Sequence, residues 1–529
     1  MKLVKSLISL SVGATLLWGC SGDSTSPTDQ GGTTTSYACR ADNTAQTDDL
    51  RIYQVMVESF VDGNPSIGHG TGYGTSHHMG DIQGIIDSLD YIQDLGMNAV
   101  WLTPIFNSVP INGQDHWADR LDATGYFATD YFAIDPRFGT MDDAKKLVEE
   151  AHKRGLYVFF DGVFGHHKDN VMASPTGNQP VGASNPVSYP ESLPFFKEVA
   201  EYWVKELKID GWRLDQAYQV PTDAWAEIRK AVDDASQQVT YTNADGELVN
   251  PLGYMVAEIW RGESDIARDG YGSKENPALC SAFDFPMRYR LVQTFAVEES
   301  GYGSNQGGLK LAEGMRTHDA YPAHAKPNLM LGNHDLVRLG DLIQRGNLAE
   351  PEDAEYWQRH KAAISFLGAY TGPITLYYGE EIGDELEGFA DQVTNDCAIA
   401  GKCDDHVARM SGKIEGVTGI TLTTEQADLK SYVKELMTLR SQHPSLAQGT
   451  RNNVVATTNA YADLKTSGEE SILYIVNTTA SSQTIAISAD KLSFSGNLND
   501  LQTNDNVTLA SGFYNIDLAP FQARFLSLE

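Results

Sequence analysis

An arginine and an aspartate, Arg213 and Asp215, are two residues apart, a spacing that suits a reactive carboxylate with a charged partner. They end the stretch IDGWRLD (209–215), which has the length and apolar character of a buried strand. Side chains alternate faces along a strand, so Arg213 and Asp215 point the same way. A guanidinium beside a carboxylate favours its ionised form. The pair indicates either a charged nucleophile or a structural salt bridge at a strand end.

Three further acidic residues lie at or just after other short apolar runs. Asp161 ends LYVFFD, Glu258 lies near the end of GYMVAEIW, and Asp335 follows NLMLGN and one histidine. One such acid is commonly a helix N-cap, but Glu is a poor N-cap, and four caps are a weaker explanation. Crowding of acids separates their pKa values, so that one donates a proton while another stays charged. Two carboxylates in different protonation states are the equipment for glycosidic cleavage.

The apolar runs alternate with helical patterns, and this predicts the scaffold. At 82–95, for example, isoleucine and leucine recur at helical spacing before Gly96. Runs that are apolar on both faces, each followed by a helix, are typical of a parallel sheet covered by helices. Eight of them predict an α/β fold, the (β/α)8 TIM barrel, whose active site lies at the C-terminal ends of the strands. The predicted strands are 51–60, 98–104, 156–161, 209–215, 253–260, 282–285, 328–333 and 373–378.

The barrel is expected to occupy residues 50–445, with a short inserted subdomain at 166–190 after the third strand. The C-terminal residues, 446–529, alternate as short strands do and predict an antiparallel β-sandwich. Four strands (471–476, 483–487, 507–509 and 523–528) are predicted there, after a last helix of the barrel at 431–441.

The N-terminal residues, 1–20, indicate export. Lys2 and Lys5 precede an apolar run that is too short for a final membrane anchor and ends at Cys20. This resembles a bacterial lipoprotein signal peptide with lipidation of Cys20, and Ser21 suggests sorting to the outer membrane. The alternative is a plain secretory signal. Residues 21–49, rich in Ser, Thr, Gly and Asp, predict a disordered tether.

The formal net charge of −32 argues against a nucleic-acid partner, because a polyanion would be repelled. An exported compartment permits disulfides. Cys397 and Cys403 are close enough in sequence to pair, which would leave Cys39 and Cys280. Their spacing is not that of a zinc site.

Several stretches, in order along the chain, resemble the α-amylase superfamily of retaining α-glycosidases. The resemblance runs from about Arg51 to the end of the chain. The stretches are GDIQGI (80–85), WLTPIF (101–106), GYFATDY (125–131), IDPRFGT (134–140), DGVFGH (161–166), GWRLD (211–215), AEIW (257–260), GNHD (332–335) and YYGEEIG (377–383).

The resemblance implies a hydrolase that acts on α-glucans or maltooligosaccharides and needs no cofactor for its chemistry. It implies that Asp215 is the nucleophile, Glu258 the general acid and base, and Asp335 the residue that holds two sugar hydroxyls. The substrate-binding residues implied are Tyr126, Asp161, His166, Arg213, Trp260 and His334. For some of them a structural role is the alternative: either histidine could be structural, Tyr126 could be packed at the barrel rim, and Trp260 could be packed in the core.

Two departures from the family pattern bear on calcium. Gly165 stands where the family usually has an Asn, and the residues Gln216 to Gln219 replace an Ala-x-Lys-His pattern. Both positions often serve the inter-domain calcium of amylases, so we expect that ion to be missing and activity to survive chelation. A different calcium site in the loop at 62–64 is an open alternative.

Two other functions remain open. A transglycosylase would use the same carboxylates with a sugar as acceptor. A non-catalytic glucan-binding protein on this scaffold would be expected to lack a catalytic carboxylate, whereas Asp215, Glu258 and Asp335 are all present.

Overall fold

Eight parallel strands close into a barrel in the computed structural model, which describes residues 44–70, 75–111, 121–168, 170–388 and 408–528. Each strand pairs with its neighbours in the chain, and the last pairs with the first. The predicted barrel is confirmed. Its strands are β1 (Arg51–Val55), β2 (Ala99–Leu102), β3 (Tyr157–Gly162), β4 (Gly211–Leu214), β5 (Tyr254–Ala257), β6 (Ser281–Phe283), β7 (Lys326–Met330) and β8 (Ile374–Tyr377).

The apolar runs overestimate most strand lengths. The largest difference is at β1, which is predicted to reach Phe60 but ends at Val55, where a 3-10 helix, Val57–Ser59, follows. That turn is fully buried, and Val57 and the following Phe60 continue the buried apolar pattern after the strand has ended. Burial, rather than extended backbone, is what the run of apolar residues reports.

Alternate residues of each strand face the barrel interior and the surrounding helices. In β2, Ala99 and Trp101 fill the interior, whereas Val100 and Leu102 pack against the helices. Both faces are therefore apolar, which explains the continuous hydrophobic runs.

Helices surround the barrel and place each strand beside the next. Thr140 begins one of them with a capping box that includes Asp143. The last barrel helix begins seven residues earlier than the predicted start at 431. The helices are Ile82–Asp94, Met141–Lys153, Leu193–Leu207, Thr222–Gln238, Phe285–Phe295, Gly308–Arg316, Leu339–Arg345, Ala354–Ala369 and Thr424–Gln442.

Two of the loops at the C-terminal ends of the barrel strands differ from the predicted pattern or test it. The loop after β2 carries a hairpin, Phe106–Ser108 with Ala128–Ile134, that the strand pattern did not predict. In the predicted insertion at 166–190, the described residues form neither helix nor strand.

The C-terminal residues form two antiparallel sheets that share one core, as predicted. Ile475 of the larger sheet and Ile516 of the smaller sheet both contribute to that core. The predicted strand at 507–509 is instead two short strands that belong to different sheets. The larger sheet contains Thr450–Ala456, Ala460–Ser467, Glu470–Asn477, Ala523–Leu528, Leu498–Asp500 and Asn506–Val507, and the smaller contains Gln483–Ser488, Phe513–Leu518 and Leu509–Ala510.

The residues just ahead of β1 close the N-terminal face of the barrel. Thr44–Asp48 is a short helix, which corrects the predicted tether over its last residues. The buried Arg440 donates hydrogen bonds to four backbone carbonyls, those of Asp48, Gly368, Tyr370 and Gly372. Lys326, at the start of β7, pairs with the Asp48 carboxylate at 3.0 Å. These contacts bind residues 44–50 to the barrel.

Some predictions concern residues outside the described ranges: the signal peptide with Cys20, the tether up to residue 43, Cys39, and the pair Cys397 and Cys403. Cys280 is disulfide-bonded. None of the helices within the described ranges is both long and apolar enough to cross a membrane.

Candidate active site

Asp215 follows β4 directly, at the C-terminal mouth of the barrel. Arg213 donates from Nη1 to Asp215 Oδ1 at 2.8 Å, so the two side chains share a face as predicted. At the start of this strand a Cβ on Gly211 would lie 1.7 Å from the Tyr254 carbonyl oxygen. Glycine therefore allows β4 to approach β5 closely enough to bring Asp215 beside the residue that follows β5.

The Arg213 guanidinium lies between three carboxylates. Besides Asp215, its Nη1 contacts Asp161 at 2.9 Å, and its Nη2 lies 3.7 Å from Glu258 Oε2. The Arg213 side chain is fully buried and stacks over the Trp101 ring at 5.1 Å. A single buried cation thus fixes the spacing of the acids that follow β4 and β5.

Asp161 lies beneath the site and is not open to a sugar. It is fully buried, and it accepts hydrogen bonds from Trp101 Nε1, Tyr126 OH and Arg213. Burial raises the pKa of Asp161 to about 7, but every partner here is a donor, so the network holds the ionised form. Asp161 thus supports Arg213 and Tyr126, and the substrate contact expected of it stays a prediction.

Glu258 follows β5 and has the environment of a proton donor. Burial raises the pKa of Glu258 to about 8, and the charges of Asp215 and Asp335 add to this effect while Arg213 opposes it. The backbone N–H of Gln216 donates to Glu258 Oε2 at 2.8 Å. This contact orients the carboxyl group beside Asp215.

Asp335 is the most open of the three acids, with a side chain that is 30% exposed. Burial opposes its ionisation, but His334 and Arg409 hold the pKa of Asp335 below its ordinary value. Burial also lowers the pKa of His334 to about 3, so that ring is neutral. The charge that stabilises Asp335 is therefore Arg409, whose Nη2 lies 2.7 Å from Asp335 Oδ1.

A chain of hydrogen bonds joins Asp335 to the acids of β3 and β4. Gln54 Nε2 donates to His334 Nδ1 at 2.8 Å, which leaves the His334 proton on Nε2. His334 Nε2 lies 2.9 Å from Tyr126 OH and 3.2 Å from Asp335 Oδ2. Tyr126 OH donates onward to Asp161 at 2.8 Å. Asp215, Glu258 and Asp335 therefore belong to one connected site, as the sequence predicted.

Trp260 lies on the Glu258 side of the site and is 44% exposed, which excludes the core-packing alternative. One face stacks on Phe285 with ring centroids 5.6 Å apart, and the indole N–H donates to Tyr289 OH at 2.7 Å. The ring is thus fixed from behind, with a surface left open to solvent.

The catalytic-domain model of the alpha-amylase family matches residues 54–178 and 191–415. The chain belongs to the alpha-amylase family. It is a glycosidase, and the acids that the family resemblance singled out are the ones that the barrel brings together.

Curated members of the family align with most of the chain. A cyclomaltodextrinase of Geobacillus thermopakistaniensis is 27% identical over 80% of this chain and 68% of its own length. Neopullulanase 2 of Thermoactinomyces vulgaris is 26% identical over 90% of this chain and 77% of its own length. Among solved structures, AmyP is 65% identical and superposes with a TM-score of 0.90 over 93% of this chain. Its crystal structures contain maltose or, in a variant, maltotriose.

The residues at the family's inter-domain calcium position do not fit a cation here. Gly165 offers no side-chain oxygen, and its carbonyl accepts from the backbone N–H of Val187 at 2.9 Å. The Gln219 side chain fills the adjacent space, and its Oε1 is engaged with His166 Nδ1 at 2.8 Å. In the alternative loop, the N–H groups of Gly63 and Asn64 donate to Asp81. Over the described residues, no group of three His, Cys, Asp or Glu side chains is arranged to hold a metal ion.

Millimolar EDTA is expected to leave kcat/KM within about twofold of the untreated value, because Gly165 supplies no side-chain ligand and the Gln219 side-chain oxygen is engaged with His166. Initial rates on maltooligosaccharides, before and after chelation and with calcium returned, provide the measurement. A steep loss that calcium restores would show that this position was misinterpreted.

Three contributors escaped the sequence analysis. Arg409 and Gln54 lie 74 and 280 residues from the side chains they contact, and no local pattern marks them. Gln219 was noted only as a departure from the family pattern. The missing side chain at Gly165 was the signal that another side chain occupies the space beside it.

Proposed function

We propose that the protein is a retaining α-glycoside hydrolase that cleaves maltooligosaccharides and related α-glucans by double displacement. The observation that carries the proposal is the single guanidinium of Arg213. It contacts Asp215 directly and Glu258 at longer range, so that the two carboxyls face one sugar in different protonation states. The similarity to AmyP, which was crystallised with maltose, supports the substrate class.

In the first step Asp215 attacks the anomeric carbon, and the bond to the leaving sugar breaks. Arg213 donates to Asp215 Oδ1, which leaves Oδ2 as the attacking oxygen. Glu258 donates its proton to the departing glycosidic oxygen, which suits the raised pKa of this residue.

In the second step water replaces the leaving sugar. Glu258, now ionised, removes a proton from that water, and the water attacks the anomeric carbon to release Asp215. Two inversions at the same carbon retain the α configuration.

The remaining polar residues would grip the sugar. Asp335 presents carboxylate oxygens to two hydroxyls, with His334 beside it at 3.2 Å, and His166 lies 3.7 Å from Asp215 and would contact the same sugar. Tyr126 is only 9% exposed and stacks on His334, so it offers an edge more than a full face. This arrangement favours the flattened, positively charged sugar of the transition state.

The pH dependence follows from Glu258. Its pKa is raised to about 8, so the proton needed for leaving-group departure is present below that pH and lost above it. We expect kcat/KM to fall as pH rises through about 8, with a slope of one proton. A pH–rate profile on maltotriose measures this. A fall centred near the ordinary carboxyl pKa would contradict the assignment.

Trp260 would hold the leaving-group side of the substrate. Trp260→Ala is expected to raise KM for maltooligosaccharides by about fivefold, because a lost aromatic contact is worth about 1 kcal/mol, while kcat changes little. Phe513→Ala, at an exposed aromatic residue of the C-terminal sheets, is the matched control. An unchanged KM in Trp260→Ala would remove this residue from the binding site.

The whole proposal is tested on a panel of starch, maltooligosaccharides, isomaltooligosaccharides, trehalose and sucrose, with product anomers read by NMR. Release of α-anomers from maltooligosaccharides is expected. Release of β-anomers, or turnover confined to sucrose or trehalose, would overturn it.

A transglycosylase is the second candidate, and the exposed Trp260 beside Glu258 favours it, since this ring could hold an acceptor sugar. Products longer than the substrate at high maltotriose concentration would indicate transfer, and glucose and maltose alone would indicate hydrolysis.

We also propose that the protein is exported and anchored through a lipid on Cys20, at the outer membrane. The support is the basic start and the apolar run that ends at that cysteine. Radiolabelled palmitate should enter the full-length protein and not Cys20→Ser. Equal labelling of both would refute the anchor.

A further inference from the structure

A glycine and a glutamine, Gly165 and Gln219, occupy one space at the rim of the site. A Cβ on Gly165 would lie 2.5 Å from Gln219 Oε1 and 2.6 Å from Gln219 Cβ. The backbone of Gly165 is not in the left-handed region, so the glycine is required by space alone. Its missing side chain is what lets the Gln219 amide enter.

The Gln219 amide has a defined orientation. Its Nε2 donates to Asn185 Oδ1 at 3.0 Å and to Gln216 Oε1 at 3.1 Å. The opposite end, Oε1, therefore faces His166 Nδ1 at 2.8 Å and can only accept. The His166 ring therefore carries a proton on Nδ1.

The other nitrogen of His166 faces the nucleophile. His166 Nε2 lies 3.7 Å from Asp215 Oδ2, the oxygen that Arg213 leaves free. In the opposite tautomer, an Nε2–H would donate to Asp215 and weaken its attack. With the proton on Nδ1, Nε2 instead presents a lone pair to a sugar hydroxyl.

The same amide supports the turn that follows Asp215. Gln216 has a left-handed backbone, with φ of 39°, and its N–H donates to Glu258. Its side chain accepts from both Gln219 and Tyr218 OH. Gln219 thus links His166 to the turn that orients the acid.

We propose that Gln219 is a positioning residue, which selects the Nδ1–H tautomer of His166 and holds the turn at Gln216, with Gly165 as its obligatory partner. The inference rests on the proposed function, in which Asp215 attacks and His166 contacts the sugar. It assigns a role to the two positions at which this chain departs from its family.

The test compares Gln219→Leu, which keeps most of the volume, with Gln219→Glu, which keeps an acceptor for His166 Nδ1–H. We expect Gln219→Leu to lower kcat on maltotriose by about 10- to 100-fold with a smaller change in KM, and Gln219→Glu, which keeps the contact with His166 but loses the donor to Gln216, to lose clearly less. Gln237→Leu, at an exposed residue, is the matched control. Equal loss in both Gln219 variants, or none in Gln219→Leu, would overturn the proposal.

The tautomer is read directly and does not depend on sugar binding. Long-range ¹H–¹⁵N spectra of protein with ¹⁵N-labelled histidine, assigned with His166→Asn, should show Nδ1–H in the wild type and a tautomer mixture in Gln219→Leu. An unchanged tautomer in Gln219→Leu would refute the positioning role alone. Wild-type activity in His166→Asn would instead refute the proposed contact with the sugar.

Thermal melts separate steric fit from positioning. Gly165→Ala should lower Tm because it clashes with Gln219, and the double variant Gly165→Ala/Gln219→Gly should recover Tm without recovering kcat. Recovery of both would reduce Gln219 to a packing residue.

Discussion

Asp215→Asn is expected to reduce kcat by about four to six orders of magnitude while the protein folds as before. Asparagine is nearly the same size and can still meet Arg213, but its amide cannot form the covalent glycosyl-enzyme. Asp223→Asn, the same change at an exposed residue of the following helix, is the matched control. Rates on maltotriose, with circular dichroism and melting curves for both variants, supply the measurement.

A second variant at this position identifies the step that is lost. In Asp215→Ala, azide should enter the vacated space and attack the anomeric carbon from the face that the carboxylate used, which gives a β-glycosyl azide. Near-normal rates in Asp215→Asn, or an α-glycosyl azide from Asp215→Ala, would contradict the nucleophile assignment.

Glu258→Gln is expected to reduce kcat on maltotriose by about 10²- to 10⁴-fold. Glutamine preserves the shape and can still accept the Gln216 N–H, but it has no proton to transfer. The loss should be much smaller on a 4-nitrophenyl glycoside, because that leaving group departs without protonation. In Glu258→Gln the rate should no longer fall above about pH 8, because the carboxyl group that loses its proton there is absent.

Glu206→Gln, at an exposed helix residue, controls for the substitution itself. Azide provides the matching stereochemical result, since in Glu258→Ala it should react with the covalent intermediate and give an α-glycosyl azide. A Glu258→Gln variant that loses the same factor on both substrates would not have lost a general acid.

The barrel was predictable because burial on two faces leaves an unbroken apolar run that alternation does not interrupt. The ends of the strands were harder to predict. Burial continues to Phe60, beyond the end of β1, and β7 begins with Lys326 and Pro327, which no apolar pattern includes. In the C-terminal sheets, the strand Phe513–Leu518 was missed although its residues alternate between exposed and buried. Its exposed positions include Phe513, which breaks the expected polar–apolar contrast.

The catalytic acids were predictable because each follows a strand of a fold that gathers strand ends at one mouth. The partners that tune them were not. Arg409 reaches Asp335 from a loop after β8, and its role depends on a contact that only the folded chain creates. For Asp161 the position at a strand end was predicted from the sequence, but only the structure shows that Trp101, Tyr126 and Arg213 donate hydrogen bonds to its oxygens.

The short helix Thr44–Asp48 and its contacts with Arg440 and Lys326 bring the chain into the barrel at the N-terminal ends of β7 and β8. The sugar-cleaving mouth is at the other end of the same strands. An enzyme attached to a bead at Thr44 itself would therefore be held by the face opposite its active site, which leaves the site open to polymer in solution. A recombinant form trimmed beyond Asp48 would weaken the barrel floor, because Arg440 would lose one of its four backbone acceptors and Lys326 its carboxylate partner.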